Sequence, residues 1–321
     1  MGWTDVHAHL WTEGYLGFLE SHGRDDTATQ RGLGAGDGPR ELDARFAAND
    51  AAGIGHQILS VSPQGPYFPG RGPAVAAARR ANDDYAAVVA AHPDRFSAFA
   101  ALPLPHLDAA LEELARALDE LGMAGVAVTT DVLGRSLGDP AYTPLFEELD
   151  RRGSVLSLHP SGHDAGSPLI ADGGMRWMVG APVEDTICAV HLILAGVPRR
   201  FPRLRIVNAH LGGALPMLPA RADDHCPWEA PGIEERPSAA VRRMWYDTVA
   251  HGHVPALRAA AATYGADRLL LGTDFPYQSG GQLLRAVSFI REALPAAEAR
   301  AVLTAGEGLL GRSPEPGRAP G

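Results

Sequence analysis

The chain begins with the run Asp5-Val6-His7-Ala8-His9, a D-x-H-x-H pattern inside its first apolar stretch. Side chains two positions apart on a β-strand point to the same face, so His7 and His9 can bind one metal ion together. The alternative is a pair of hydrogen-bonded core histidines, which would bury polar groups with no metal to satisfy them. The pattern therefore predicts a buried metal-binding strand whose remaining ligands come from later in the chain.

Three later positions can complete such a site. His159, His210 and Asp274 each end an apolar run that is typical of a buried strand. Imidazole and carboxylate groups are suitable ligands for zinc and other transition metals. We therefore predict that His7, His9, His159 and Asp274 bind the metal. The alternatives are a backbone hydrogen bond for His159 and an ion pair with an arginine for Asp274.

Four further residues each have two possible roles. His210 is either another ligand or a general acid and base, and the four ligands already assigned favour the second role. Asp5 lies deeper on the strand than His7; it either binds the metal or supports a ligand, and we favour support. His251 either supports the site or lies in a solvated loop. Trp177 either faces the substrate or packs in the core.

Eight short apolar runs alternate with helical patterns along the chain. The predicted strands span residues 3–10, 55–62, 96–103, 125–130, 154–160, 204–210, 244–249 and 269–274. Eight such units predict a (β/α)8 TIM barrel, an α/β fold, with a doubly wound open sheet as the alternative. Active sites of such barrels lie at the carboxyl ends of the strands, where these runs place His9, His159, His210 and Asp274.

We expect residues 1–311 to form a single barrel domain. Residues 11–39 follow the first predicted strand and are rich in glycine, aspartate and arginine. This segment is too long for a simple connection, so we expect a lid or substrate loop. Residues 312–321 are expected to form a disordered tail.

Composition limits the possible partners. A formal net charge of −10 argues against nucleic acid and against an anionic membrane surface. Cys188 and Cys226 form no disulfide framework, and the predicted first strand leaves no room for a signal peptide before it, so a cytoplasmic location is expected. No apolar run predicts a membrane span. A small anionic substrate is compatible with the charge, because a metal and local arginines can make one pocket positive.

Further motifs lie outside the predicted ligands. They are the run at 177–186, Trp177-Met178-Val179-Gly180-Ala181-Pro182-Val183-Glu184-Asp185-Thr186, then Arg200-Phe201-Pro202-Arg203-Leu204, Ala209-His210-Leu211-Gly212-Gly213 and Gly272-Thr273-Asp274-Phe275-Pro276. With these motifs the chain resembles, from Asp5 to about Gly311, the amidohydrolase-related decarboxylases typified by aminocarboxymuconate-semialdehyde decarboxylase. The stretch Ile58-Leu59-Ser60-Val61-Ser62-Pro63 is similar to the branch that includes 6-methylsalicylate decarboxylase.

This resemblance implies a metal-dependent barrel. The matching positions are His7, His9, His159 and Asp274 for the metal ligands, His210 for the catalytic histidine and Trp177 for a substrate-lining residue. The resemblance also implies one divalent metal, with zinc favoured over manganese, and a homodimer. The chain contains no lysine, so it cannot carry the carboxylated lysine that bridges two metals in many binuclear metallohydrolases, and a single ion is favoured.

The expected activity is non-oxidative decarboxylation of a small aromatic or unsaturated carboxylic acid. Hydrolysis of an amide or lactone is the alternative, because metal-activated water can attack a carbonyl; a non-catalytic metal-binding protein is a third possibility. In a muconate-type route His210 would activate water, whereas in a salicylate-type route Asp274 would carry the proton to the ring. The arginine for the substrate carboxylate is expected within residues 11–39, where Arg24 and Arg31 are candidates.

Overall fold

The computed structural model describes residues 2–309, and its strands run in chain order around one barrel. The strands are β1 Trp3–His9, β2 Ile54–Ser60, β3 Phe96–Ala98, β4 Ala100–Ala101, β5 Val126–Thr129, β6 Asp131–Val132, β7 Arg135–Ser136, β8 Val155–His159, β9 Arg205–Asn208, β10 Trp245–Asp247 and β11 Leu269–Leu270. All pairs are parallel except β6 with β7, which form a small antiparallel hairpin outside the barrel order.

Backbone hydrogen bonds close the sheet into a barrel. Parallel pairing gives the orders β1-β2-β3 and β4-β5-β8-β9-β10-β11. The amide of Phe99, which separates β3 from β4, donates to the carbonyl of Leu59 on β2 (2.9 Å), so β3 and β4 act as one strand. On the other side, the Val6 amide of β1 donates to the carbonyl of Leu271 (2.9 Å). The eight-stranded barrel is therefore confirmed, and the open sheet was the wrong alternative.

Helices fill the connections between the strands. The α-helices are α1 Glu13–Ser21, α2 Ala28–Arg31, α3 Pro39–Ala52, α4 Arg71–Ala91, α5 Leu107–Asp119, α6 Thr143–Arg152, α7 Pro168–Asp172, α8 Ala181–Leu194, α9 Val197–Arg200, α10 Pro219–Glu229, α11 Pro237–Ala240, α12 Val254–Tyr264, α13 Gly281–Ala293, α14 Ala296–Thr304 and α15 Gly306–Leu309. A π-helical turn, Arg176–Gly180, leads directly into α8. The 3-10 turns are Pro140–Tyr142, Asp164–Gly166, His210–Gly212, Leu215–Met217, Val241–Arg243 and Ala266–Arg268.

Local sequence accounts for these elements. Helix α6 has a proline in its first turn, where the missing amide costs no hydrogen bond, and ends at Gly153, which adopts a left-handed conformation (φ 61°). Helix α5 buries Ala110, Leu114 and Ala117 along one side, as its helical spacing predicts. Strand β5 is buried along its whole length, in keeping with a parallel strand covered on both faces.

Two predicted site residues lie beyond the strands instead of ending them. His9 and His159 are the last residues of β1 and β8, as expected. His210, by contrast, follows β9 in a turn, and Asp274 lies four residues after β11. Both have positive φ angles, 51° and 60°, which a strand cannot accommodate. The expectation that they end strands was therefore wrong, although both still lie at the carboxyl edge of the barrel.

The segment 11–39 contains the helices α1 and α2 and is therefore more ordered than the loop that its composition suggests. Thr12 caps α1, because its hydroxyl accepts a hydrogen bond from the amide of Tyr15 (3.0 Å). Closure of this segment over a substrate stays a prediction. The predicted disordered tail, residues 312–321, lies outside the described residues.

One helical segment, Arg176–Leu194, is long and apolar enough to cross a membrane by length and composition alone. The expectation that no segment reaches this length was therefore wrong. About half of the segment is buried within the protein, including the carboxylates of Glu184 and Asp185. Both carboxylates are hydrogen-bonded to other parts of the protein, Asp185 to His210 and Glu184 to the amide of Gly162, so this helix packs on the barrel.

A buried polar network joins β1, β2 and the last barrel segment below the predicted site. The carboxylate of Asp5 accepts hydrogen bonds from the Gln57 side chain (2.8 Å) and from the hydroxyl of Thr273 (2.6 Å). Arg45, only 1% exposed, donates to the Gln57 side chain and to the carbonyl of His9, each at 2.7 Å. Asp5 thus supports the site from below.

We expect Arg45→Met to lower the free energy of unfolding by about 2–4 kcal/mol, because it removes the side-chain donor to the buried carbonyl of His9 and one of the two donors to the Gln57 side chain. Urea denaturation of the metal-free protein measures this loss. Arg31→Met is the matched control, since Arg31 pairs with Glu13 and Glu20 on the surface and contributes little there. Equal losses for both variants would contradict the role assigned to the network.

Candidate metal centre and active site

Four predicted ligands converge at the carboxyl edge of the barrel. His7, His9, His159 and Asp274 are all buried, and each offers one ligand atom within 4.8 Å of the others. The Nε2 atoms of His7 and His9 lie 3.2 Å apart, so the two-residue spacing does place both rings on one face. Asp274 Oδ1 lies 3.1 Å from His9 Nε2 and 3.2 Å from His7 Nε2.

The outer nitrogens of the three rings are bound by the protein. His7 Nδ1 donates to a carboxylate oxygen of Asp247 (2.7 Å), and His159 Nδ1 donates to the carbonyl of Pro160 (2.9 Å). Carboxylates and carbonyls only accept, so these Nδ1 atoms carry the hydrogen and leave the Nε2 lone pairs facing inward. His9 Nδ1 contacts the hydroxyl of Ser60 (3.1 Å).

This arrangement fits a divalent metal ion. Lone pairs that face each other at 3.2 Å repel unless a cation lies between them, and a carboxylate completes a set of three nitrogens and one oxygen. Metal-binding histidines usually donate their other ring nitrogen to a carboxylate or carbonyl, as His7 and His159 do here. Four protein ligands leave a further coordination position for a substrate oxygen if the ion expands its shell.

The charge states of the cluster agree with this conclusion. Burial lowers the pKa of His9 to about 4 and the pKa of His159 well below its usual range, so both rings are neutral. Burial would raise the pKa of Asp274, but hydrogen bonds from His210 and His7 hold it well below its ordinary value. Burial also opposes a charge on His7, yet Asp247 and Asp274 raise its pKa to about 10. Without a metal, a proton on His7 supplies the positive charge.

His210 is placed beside the ligand cluster and not within it. Its Nδ1 lies 2.9 Å from a carboxylate oxygen of Asp185 on α8, and its Nε2 lies 3.9 Å from Asp274 Oδ2. Burial disfavours the charged ring, but Asp185 and Asp274 together raise the pKa of His210 well above its usual value. Burial also raises the pKa of Asp185, to about 6. The geometry agrees with an acid and base next to the metal.

Asp247 joins the ligand cluster to His210. One of its carboxylate oxygens accepts from His7 Nδ1, and the other accepts from the backbone amides of His210 and Val249, each at 3.0 Å. The second contact holds His210 in its positive-φ conformation, which costs about 1–3 kcal/mol when nothing compensates it. One buried carboxylate therefore fixes both a ligand and the adjacent acid and base.

Asp247 and Asp185 contact the site but were not predicted from the sequence. The available signal for Asp247 was its position at the end of the seventh barrel strand, the edge where the predicted ligands lie. Asp185 lies within the run 177–186, where nothing in its immediate sequence distinguishes it from a surface aspartate. His251 is exposed in the turn after β10 (φ 48°). This position agrees with a solvated loop residue and not with a residue that supports the site.

A cavity of about 630 Å³ opens beside the cluster. Its wall includes Trp177, which is half exposed, and Tyr277, whose ring centre lies 5.6 Å from that of His9. Tyr277 therefore connects the cavity to the ligand cluster. Of the two candidate arginines for the substrate carboxylate, Arg24 lines the cavity. Arg31 is not among the described cavity-lining residues and pairs with glutamates on the surface.

The cavity wall is polar as well as aromatic. Arg24 binds both carboxylate oxygens of Asp26 (2.9 Å each) and the side-chain oxygen of Gln64 (2.6 Å). On the facing segment, Arg176 binds both carboxylate oxygens of Asp164 (3.2 and 3.1 Å). Such a wall suits a small ring that carries polar or anionic substituents.

Comparison with known proteins identifies relatives along nearly the whole chain. The model of the amidohydrolase family matches residues 4–305. A 2-amino-3-carboxymuconate-6-semialdehyde decarboxylase from Dictyostelium discoideum is 29% identical over 262 residues, covering 78% of this chain and 72% of that protein. A 6-methylsalicylic acid decarboxylase from Aspergillus aculeatus is 31% identical over 300 residues, covering 90% of this chain and 88% of that protein. The resemblance expected from the motifs is confirmed.

Solved structures show the same fold. A 2,6-dihydroxybenzoate decarboxylase complexed with 2,6-dihydroxybenzoate superposes with a TM-score of 0.84 at 27% identity, covering 97% of this chain and 99% of that one. A dihydroxybenzoic acid decarboxylase from Polaromonas sp., with bound manganese and the inhibitor 2-nitroresorcinol, has a TM-score of 0.81 at 25% identity and covers 97% of each chain.

We expect Asp247→Asn to weaken metal binding about 10- to 100-fold, because the neutral amide no longer holds His7 in the required orientation. Competition with a chromophoric chelator measures the affinity. Asp223→Asn is the matched control, since the described hydrogen bonds of the Asp223 carboxylate all come from Ser238, away from the cluster. An affinity equal to that of the unaltered protein would show that Asp247 does not orient the ligand.

Proposed function

The chain belongs to the amidohydrolase family, and we propose that it is a metal-dependent, non-oxidative decarboxylase of a small aromatic carboxylic acid. The observation that carries the proposal is the convergence of His7, His9, His159 and Asp274 beside His210 and an open cavity. In this proposal the four ligands bind a divalent ion, the cavity holds a carboxylic acid next to it, and His210 moves a proton.

The relatives support decarboxylation over the hydrolase alternative. Both named relatives and both named structures are decarboxylases, and three of the four act on hydroxylated or methylated benzoic acids according to their names. The proposed site of this chain lies at the carboxyl edge of the barrel fold that it shares with these decarboxylases. An aromatic acid of the salicylate type is therefore the substrate class that we propose.

One divalent ion is the cofactor, and its identity has two candidates. Three imidazoles and one carboxylate favour zinc, because zinc prefers nitrogen ligands. The manganese in the Polaromonas structure supports manganese instead. Reconstitution of the metal-free protein with each ion separates these alternatives. When bound, the ion acts as a Lewis acid toward the substrate carboxylate or the adjacent hydroxyl.

The chain itself supplies the proton chemistry. Decarboxylation breaks the bond between the ring and the carboxylate carbon, CO2 leaves, and the ring carbon keeps the electron pair and must receive a proton. His210 Nε2 and Asp274 Oδ2, 3.9 Å apart, are the groups that can deliver it. Asp185 holds His210 by its other nitrogen, so Nε2 stays directed toward Asp274. For a salicylate-type acid we propose that Asp274, which is ionised at rest, carries a proton from His210 to the ring carbon.

The cavity accounts for substrate binding. Trp177 supplies an aromatic face, and Tyr277 lies between the cavity and the ligand His9. A planar acid between these rings would place its carboxylate toward the metal cluster and its other substituents toward Arg24 and Arg176. Enclosure of the carboxylate away from water would favour its loss as neutral CO2.

We also propose a homodimer. Leu194, 43% exposed, lines an apolar groove between α8 and α10. Met217 and Trp228, 82% and 68% exposed, are chain neighbours of the groove residues Leu218 and Glu229. Apolar side chains exposed together are typical of a protein interface. Sedimentation equilibrium should therefore give twice the 33.8 kDa chain mass, and Trp228→Glu should shift it toward one chain. A monomer at micromolar concentration would contradict the dimer.

The function is tested by incubating the zinc- or manganese-loaded protein with salicylate-type acids and with lactones, and by following CO2 release. We expect CO2 from at least one aromatic acid, no turnover after chelation, and recovery when the ion is restored. His210→Ala should keep the metal yet lower kcat by about 100-fold or more, because the general acid and base is lost. Lactone hydrolysis without CO2 would contradict the proposal.

A further inference from the structure

The run 177–186 was singled out by sequence, and the proposed chemistry uses only part of it. Three consecutive side chains at the start of α8 contact two different loops: Asp185 and Thr186 contact the loop after β9, and Glu184 contacts the loop after β8. Asp185 binds His210. The hydroxyl of Thr186 accepts a hydrogen bond from the amide of Ala214 (2.9 Å), which holds the turn that follows His210. Glu184 points to the other side of the helix, and its contacts have no role in the proton chemistry.

Glu184 binds the loop that follows the ligand His159. We call residues 161–166 the pocket loop. One carboxylate oxygen of Glu184 accepts from the amide of Gly162 (2.9 Å) and the hydroxyl of Ser161 (3.0 Å), and the other accepts from the amide of Ala165 (3.1 Å). The hydroxyl of Thr130, after β5, adds a contact at 3.3 Å. The side chain is 4% exposed.

The backbone amides of Gly162 and Ala165 can only donate, one to each carboxylate oxygen, so the position requires a group that accepts at both of its oxygens. A carboxylate provides this, whereas an amide would direct its NH2 group at one or more backbone N–H groups. A buried acceptor that binds two backbone amides of one short loop fixes the loop far more strongly than a surface contact. The amides of Gly162 and Ala165 would otherwise be left without a partner.

The pocket loop forms one wall of the substrate cavity. Gly162 has a φ of 75°, and a Cβ atom at this position would lie 2.7 Å from Cη2 of Trp177. Trp177 therefore packs directly on the Gly162 backbone. Asp164 of the same loop binds Arg176, the neighbour of Trp177. The positions of Trp177 and Arg176 thus depend on where the loop lies, and Glu184 determines that position.

We propose that Glu184 is a positioning residue that sets substrate affinity by fixing the pocket loop against Trp177. This inference rests on the proposed decarboxylase function. Helix α8 then has two separate tasks, since Asp185 orients the acid and base while the preceding residue holds the binding wall. Glu184 contacts none of the four proposed ligands among its described hydrogen-bond partners, so its loss should spare the metal centre.

The test compares Glu184→Gln with the unaltered, metal-loaded protein on the aromatic acid that the latter converts. We expect KM to rise about tenfold with kcat changed less than about threefold, because interactions that bind substrate and transition state equally are lost. Bound metal, measured by elemental analysis, should stay the same. Glu113→Gln is the matched control, because Glu113 is equally buried (2% exposed) but binds Asn82 and Arg116 outside the cavity.

A double-mutant cycle with Trp177→Phe separates positioning from a general loss of stability. We expect Trp177→Phe to raise KM about tenfold in the unaltered protein but less than about twofold in Glu184→Gln, because Trp177 is already displaced there. In the Glu113→Gln background the tenfold effect should persist. If Glu184→Gln does not fold, Gly162→Ala, which pushes directly on Trp177, takes its place in the same cycle.

The outcomes distinguish this inference from the proposed function. No CO2 from the unaltered, metal-loaded protein would contradict the proposed function. Turnover by the unaltered protein, together with an unchanged KM in Glu184→Gln or additive effects in the cycle, would contradict the positioning role alone. A loss of bound metal in Glu184→Gln would also contradict it, since the effect would then pass through the metal centre.

Discussion

Three imidazoles and a carboxylate converge at one edge of the barrel, and their arrangement requires a positive charge, which a metal ion supplies or, without one, a proton on His7. The inward Nε2 atoms of His7 and His9 lie 3.2 Å apart because their outer nitrogens are held by Asp247 and Ser60. Leaving such buried polar groups unsatisfied costs about 1–3 kcal/mol each. The barrel therefore maintains a site that is complete only with a bound positive charge.

The rest of the structure maintains this convergence. The Arg45–Gln57–Asp5 network fixes the strand of the two histidines from below, and Asp247 fixes His7 and the backbone of His210 from the side. Asp274 and His210 adopt positive φ angles, which cost about 1–3 kcal/mol each without compensation. Strain of this kind persists where surrounding contacts determine the geometry, and here it aims both groups at one point.

Much of the barrel and the convergence of the four proposed ligands could be predicted because their signals are local. A two-residue spacing on a strand places His7 and His9 on one face. The apolar run around them marks the strand, which ends at His9. The turns that carry His210 and Asp274 could not be placed, since positive φ at a residue other than glycine has no sequence signal. The helices α1 and α2 were missed because their segment has the composition of a loop.

The supporting carboxylates were missed for a different reason. Asp247, Asp185 and Glu184 act only through partners that are distant in the chain, and an aspartate that orients a histidine looks the same in sequence as one on the surface. Their roles follow from the closed barrel, which brings β10 and α8 to the same edge as β1. The orientation of the proposed ligands thus depends on the folded barrel. Four residues of suitable type bind a metal only when they are oriented toward one point.

Anomalous diffraction from crystals of the manganese- or zinc-loaded protein, collected on both sides of the metal absorption edge, tests the central claim most directly. We predict one strong anomalous peak bound by Nε2 of His7, His9 and His159 and by the carboxylate of Asp274. Two peaks at this edge of the barrel, or a single peak away from these four side chains, would contradict the account.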